Sequence, residues 1–240
     1  MHKIYEFVGR IRVWITSKFL KIKEIKCKTI EDYVKISYSP FSVISGLKPV
    51  QIKWEISKLL KLLTDFNPKV VCEIGTAQGG TLYLFSKCAT SDAIIISIDL
   101  PGGPFGGGYC EWKIPFYKSF AVAKQKMYLI RGDSHYSSTL EELKEVLGDK
   151  KIDFLFIDGD HTFDGVKLDF ENYSRFVKPG GIIALHDIMP NPREPQCQVY
   201  KFWRKIRYKY KYLEIVYNKN QQTAGIGVVY LLDKDLLARE

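Results

Sequence analysis

From residue 69 onward, short apolar runs alternate with stretches of helical periodicity. Lys69–Ile74 (KVVCEI) is β-branched, apolar and bounded by Pro68 and Gly75, the pattern of a buried strand. Ala93–Ile98, Met127–Arg131, Ile152–Ile157 and Ile182–Leu185 repeat that pattern. Between them, Thr81–Lys87, Phe116–Gln125, Thr139–Leu147 and Val166–Val177 carry helical spacing, the last stopped by Lys178-Pro179-Gly180-Gly181. A helix at Val199–Tyr208 precedes two closing strands, Tyr212–Tyr217 and Ile226–Leu232. No helix of useful length separates those two, so they should pair antiparallel at a sheet edge. Strands alternating with helices predict an α/β fold, a mostly parallel sheet covered on both faces. Residues 30–67 read as helices and loops leading into the domain.

The opening segment has another pattern. Ile4, Phe7, Val8, Ile11, Ile15, Phe19 and Ile22 fall on one helical stripe, with Lys3, Arg10, Lys21 and Glu24 opposite. This predicts an amphipathic helix of about five turns, placed in a basic extension over residues 1–28 ahead of a domain spanning 29–240. Its stripe needs cover from the domain itself, from a second copy in a homo-oligomer, or from lipid.

Composition narrows the class. With 240 residues and 46% hydrophobic positions, the chain can bury a core, which excludes global disorder. Its five cysteines are scattered without metal spacing, which predicts free thiols in a reducing, cytoplasmic setting. No signal-peptide cleavage pattern follows an uninterrupted apolar core, and no run is long enough to span a bilayer. The net charge of +9 is concentrated in two places. Residues 1–28 hold eight Lys/Arg against Glu6 and Glu24; residues 201–212 hold six Lys/Arg and no acid. Nucleic acid, an anionic membrane touched peripherally, or plain solvated faces would each account for such patches.

The polar residues with chemical potential stand where strands end, the place where open α/β sheets bind ligands. After the first strand comes Glu73-Ile74-Gly75-Thr76-Ala77-Gln78-Gly79-Gly80, whose glycines allow a tight turn and close approach of a ligand to the backbone. After the second comes Asp99, suited to accept from both hydroxyls of a ribose. After the third come Asp133, Ser134 and His135. Taken singly, each acid also suits a helix cap.

These motifs, with the Pro-Gly-Gly before the fifth strand, resemble those of class I S-adenosylmethionine-dependent methyltransferases over about residues 68–232. The resemblance implies a Rossmann-like, doubly wound, seven-stranded sheet with an antiparallel C-terminal pair. It also implies S-adenosylmethionine as cofactor, bound by the turn residues Glu73, Gly75, Thr76, Gly79 and Gly80, by Asp99 at the ribose, by Asp133 and Ser134 at the adenine, and by Asp158. A carboxylate at Glu73 would favour the sulfonium cation.

The fourth strand ends in Asp158-Gly159-Asp160-His161, and the fifth in His186-Asp187. Adjacent parallel strands would bring the two groups together. Two Asp and a His suit a divalent metal; the same residues also suit a turn, a helix cap and a structural hydrogen-bonded pair. The spacing resembles metal-dependent O-methyltransferases of the catechol and macrocin types, and the cephalosporin-hydroxylase-like group. That resemblance implies Asp158, His186 and Asp187 as ligands of Mg2+ or another divalent ion, with Asp158 and His161 catalytic and His161 the general base. The chain departs from the pattern at His186, where those relatives carry an acid, and Asp160 is a spare acid nearby.

A Gly-rich stretch, Pro101–Trp112, follows the second strand and reads either as a lid in which Phe105, Tyr109 and Trp112 close over an acceptor or as an ordered surface loop with those aromatics tucked in; the resemblance to the cephalosporin-hydroxylase-like and sugar-modifying groups favours the lid. The implied activity is O-methylation of a small molecule or glycan. An RNA methyltransferase, and a non-catalytic membrane-surface or assembly protein retaining the fold, are the alternatives.

Overall fold

The computed structural model describes residues 2–102 and 108–232. Seven strands, β1 (Val70–Ile74), β2 (Ile94–Asp99), β3 (Lys126–Arg131), β4 (Ile152–Ile157), β5 (Val177–His186), β6 (Lys211–Ile215) and β7 (Ile226–Tyr230), form one sheet in the order β3-β2-β1-β4-β5-β7-β6. The first five are parallel; β7 runs antiparallel to both β5 and β6. The predicted C-terminal pair is therefore present. The order of strands reverses at β1, which lies between β2 and β4, and this switch point opens the crevice beyond the strand ends.

Side chains leaving the sheet alternate between two cores. Val71, Ile95, Phe154 and Phe156 join α1 (His2–Glu24), α2 (Ile30–Ser37), α4 (Lys53–Phe66), α5 (Gly80–Cys88) and α6 (Ile114–Lys118) on one face. Val70, Cys72, Ile96, Leu155 and Ile183 join α7 (Ser137–Leu147), α8 (Phe163–Ser174) and α9 (Val199–Ile206) on the other. Because both faces are covered, strands such as β1 and β4 are buried at every position, which is why they read as unbroken apolar runs. A short helix, α3 (Pro40–Ser45), precedes the loop that reaches the strand ends.

Two elements differ from expectation. The helix expected over Phe116–Gln125 stops at Lys118. Gln125 is instead captured by the body, its Nε2 donating to the carbonyls of Ser86 (2.8 Å) and Thr90 (2.9 Å). The expected helix stop at Lys178–Gly181 lies inside β5, after α8 has already ended at Ser174. There the Pro-Gly-Gly forms a bulge that shifts the β4 register, while Gly180 N–H donates to Leu231 O (2.6 Å) and Leu231 N–H to Gly181 O (3.0 Å). On α1 the body covers Thr16 and Leu20, with Val13 and Phe19 packed beside them. Of the expected apolar stripe, Phe19 is thus covered by the domain, while Phe7, Val8, Ile11, Ile15 and Ile22 are exposed.

Candidate active site

The turns after β1 and β4 are pressed together. Asp158 N–H donates to Ile74 O (2.8 Å), and Gly75 N–H to Ile98 O (2.9 Å). Gly75 takes φ +86°, and a Cβ there would lie 2.0 Å from the Asp158 carbonyl oxygen. Only glycine fits both the conformation and the space. Above this joint opens a cavity of 410 Å³. Its wall takes Gly75, Thr76 and Gly80 from the first turn, Asp99 from β2, and Asp133, Ser134 and His135 after β3. Asp158, Asp160, His161, His186 and Asp187 complete it beyond β4 and β5. Most residues expected at the site, from five separate strand ends, thus share one hollow.

Glu73 and Gly79 do not stand on that wall. Glu73 is fully buried behind the turn, where Thr76 Oγ1 donates to its Oε2 (3.0 Å) and lies 2.5 Å from Ser97 Oγ. Burial pushes its pKa up to about 8, against the pull of the Thr81 and Thr76 hydroxyls. A carboxyl that keeps its proton there holds the turn and does not present a negative charge to a ligand. Gly79 sits where a Cβ would meet the Tyr117 ring at 2.7 Å.

Asp99 is nearly buried, and its Oδ2 accepts from Ala77 N–H (2.8 Å) and Gly108 N–H (3.3 Å). Burial raises its pKa while these amides oppose the rise. The acid therefore ties the first turn to the end of the Gly-rich segment. Asp133 accepts from the His135 N–H (2.9 Å) through its Oδ1. His135 Nε2 lies 3.3 Å from Asp169 on α8, a fully buried acid whose hydrogen bond raises the His135 pKa to about 8. Asp169 was missed in the sequence, although it shares the buried helical face of Val166, Phe170 and Tyr173. An acid on such a stripe is the signal that could have found it.

The acid–imidazole corner is held by side chains. Asp158 Oδ1 lies 3.1 Å from His186 Nδ1 and 3.4 Å from His161 Nε2. Asp187 Oδ2 lies 3.4 Å from both His161 Nδ1 and His186 Nδ1. His161 thus bridges the two carboxylates, one ring nitrogen to each. Asp187 has φ +61°, a left-handed turn directly after β5 that brings its carboxylate back beside His186. Burial opposes charge on both imidazoles, yet the carboxylates prevail: His161 is raised to about 11 and His186 well above its ordinary value. Asp158 and Asp187 are held below the usual carboxylate range despite their burial.

Candidate ligand atoms of Asp158, His186 and Asp187 lie within 4.8 Å of one another, as do those of His161, Asp187 and Cys197. Two carboxylate oxygens and an imidazole nitrogen at this spacing fit a divalent ion, with the nitrogen favouring metals softer than magnesium. Sequence reading also missed Gln51, whose Nε2 donates to Asp158 Oδ2 (2.7 Å) from the loop before α4. The two residues are 107 positions apart, and no local pattern announces the contact. Glu55, fully buried on α4, likewise accepts from the N–H groups of Tyr217 and Gly225 (both 3.0 Å), fixing the loop that brings Thr223 and Ala224 to the wall.

The lid expectation divides. Phe105 lies outside the described residues. Tyr109 is buried edge-on against Tyr117 (4.7 Å between centroids), and Trp112 packs where Gly9 of α1 leaves room. Neither ring lines the cavity.

A family model described as a methyltransferase domain matches residues 72–188, the segment from β1 through the corner. Residues 72–188 thus read as a methyltransferase domain. Among solved structures, it resembles the O-methyltransferase TomG from Streptomyces achromogenes, in complex with SAM. That match has 14% identity and a TM-score of 0.55, covering 89% of this chain and 95% of that one. An O-methyltransferase from Bacillus cereus, in complex with SAH, matches with 15% identity and a TM-score of 0.56, covering 90% and 97%. At these identities the likeness speaks for the fold. A curated relative, the uncharacterized protein y4gI of Sinorhizobium fredii, is 24% identical over 148 residues, 60% of this chain but only 16% of that protein.

Proposed function

We propose that this chain is a methyltransferase that uses S-adenosylmethionine to methylate a hydroxyl on a small molecule or glycan, with His161 as general base. The observation that carries this reading is the single cavity in which Asp99, Asp133 and Ser134 face the acid–imidazole corner. In this assignment the first turn, Asp99 and the Asp133–Ser134 pair bind the donor, which supplies a methyl group made electrophilic by its sulfonium. Asp158, His186 and Asp187 would hold a divalent ion, which would lower the pKa of an acceptor hydroxyl.

The chain's own residues account for the rest. Asp158 and Asp187 keep a proton on His161 while their charges face it alone. Positive charge brought against those carboxylates weakens that hold and moves the imidazole toward the range where it accepts a proton. Gln51 fixes the second oxygen of Asp158, so the carboxylate keeps its aim. Seating the acceptor oxygen beside the methyl supplies further acceleration by orientation.

The test is calorimetric titration with S-adenosylmethionine, followed by labelled methyl transfer to a panel of hydroxylated acceptors before and after chelation. Donor binding with chelator-sensitive transfer supports the whole reading. Full activity after chelation removes the metal from it, and absence of donor binding ends it. The RNA alternative draws no support from a shared basic surface: α1 and α9, which carry the two basic patches, pack against opposite faces of the sheet.

A further inference from the structure

We propose that α1 is a docking surface for an anionic lipid bilayer. The helix is firmly mounted. Glu24 near its end pairs with Lys87 Nζ (3.0 Å), a side chain that is 2% exposed and lies over the Tyr83 ring. Leu20 and Thr16 are buried, Phe19 stacks on Phe41, and Gly9 meets Trp112. Among the described residues, none covers the opposite stripe. Phe7 is 64% exposed, Trp14 62% and Ile22 66%, with Val8, Ile11 and Ile15 beside them. On α3, which packs on α1, Val43 and Ile44 are exposed as well. Isolated apolar residues at a surface are ordinary; a helix-long stripe of this kind marks an interaction site.

Charge chooses the occupant. Glu6 is engaged by Arg10 and Glu24 by Lys87. Arg12, Lys18, Lys21 and Lys23 on α1, with Lys26 and Lys28 just beyond it, are exposed and leave the helix an excess of positive charge. A second copy related by a twofold would set that same excess against itself. An anionic headgroup layer neutralises it, while Phe7, Ile11 and Trp14 enter the acyl boundary and the lysines reach outward. The helix also adjoins the cavity: Arg12 and Gln78 both approach Gly46, and Gln78 and the 83% exposed Val50 line the wall. A bilayer lying along α1 therefore lies beside the site.

Flotation of the full chain with phosphatidylcholine vesicles, with and without phosphatidylglycerol, tests this. The protein should rise with the anionic vesicles only, less so as salt increases. Ile11→Ser should lower partitioning roughly tenfold, and Lys18→Gln and Lys21→Gln roughly fivefold each, with thermal midpoints unchanged. Equal binding to neutral vesicles, no flotation, or partitioning indifferent to these variants would overturn the proposal. So would a dimer in solution that Trp14→Glu dissociates, since a second copy would then be the cover. None of these readouts involves methyl transfer, so the docking surface stands or falls independently of the proposed reaction.

Discussion

On the β1–β3 side of the cavity, acids are met by backbone amides and hydroxyls of their own and adjacent turns: Glu73 by Thr76, Asp99 by Ala77 and Gly108, Asp133 by His135. On the β4–β5 side, Asp158 and Asp187 are met by the imidazoles of His161 and His186. Amides cannot leave without unmaking the loop that carries them, so the first set is fixed in place. Imidazoles can exchange protons and partners at little cost to the backbone. A rigid region suited to recognition thus abuts a labile one suited to proton transfer.

The contrast is tested hardest at His161. His161→Ala should lower labelled methyl transfer by roughly 10²–10⁴-fold while leaving the calorimetric affinity for S-adenosylmethionine intact. A loss of affinity instead would place His161 in the recognition region. Next comes the joint between the regions. Gly75→Ala must accept a left-handed backbone and displace the Asp158 carbonyl, and should cost roughly 2–4 kcal/mol in urea denaturation. A near-neutral change would mean that the two turns can separate.

Within the recognition region, Asp99→Asn should weaken donor binding roughly tenfold with turnover at saturation retained; a drop in turnover alone would contradict its assignment there. The smallest effect concerns Glu73. Its ordinary pKa of 4.5 rises to about 8 in the fold, so between those values the native state holds a proton that the unfolded chain releases. The stability this contributes is complete below pH 4.5 and is lost as pH rises through about 8. Glu73→Gln should flatten that slope in denaturation series across the range, and an unaltered slope would show that the proton is not held at Glu73.

Much of this could be read before folding was considered. The strands that became β1, β2 and β4 are apolar at nearly every position, a pattern that survives because both sheet faces are buried. Asp99, Asp158 and His186 each sit one step from such a run, so their shared crevice follows from parallel order. Glu73 misled for the same reason. A residue at a strand end can point to the crevice or behind the turn, and the choice depends on Thr76 and Ser97, which reach it only in three dimensions. At α1, periodicity identified the apolar face and left its cover open, while the body buried the neighbouring face through Thr16 and Leu20.

By itself the sequence determined the alternation of strand and helix and the positions at strand ends, because both are written in local periodicity and punctuation. Only the tertiary structure decided that Gln51 steadies Asp158, that Asp169 supports His135, and that Glu73 keeps its proton out of the cavity. Those outcomes depend on burial and on partners far apart in the chain. Desolvation and hydrogen bonding at such distances arise only when the chain is packed.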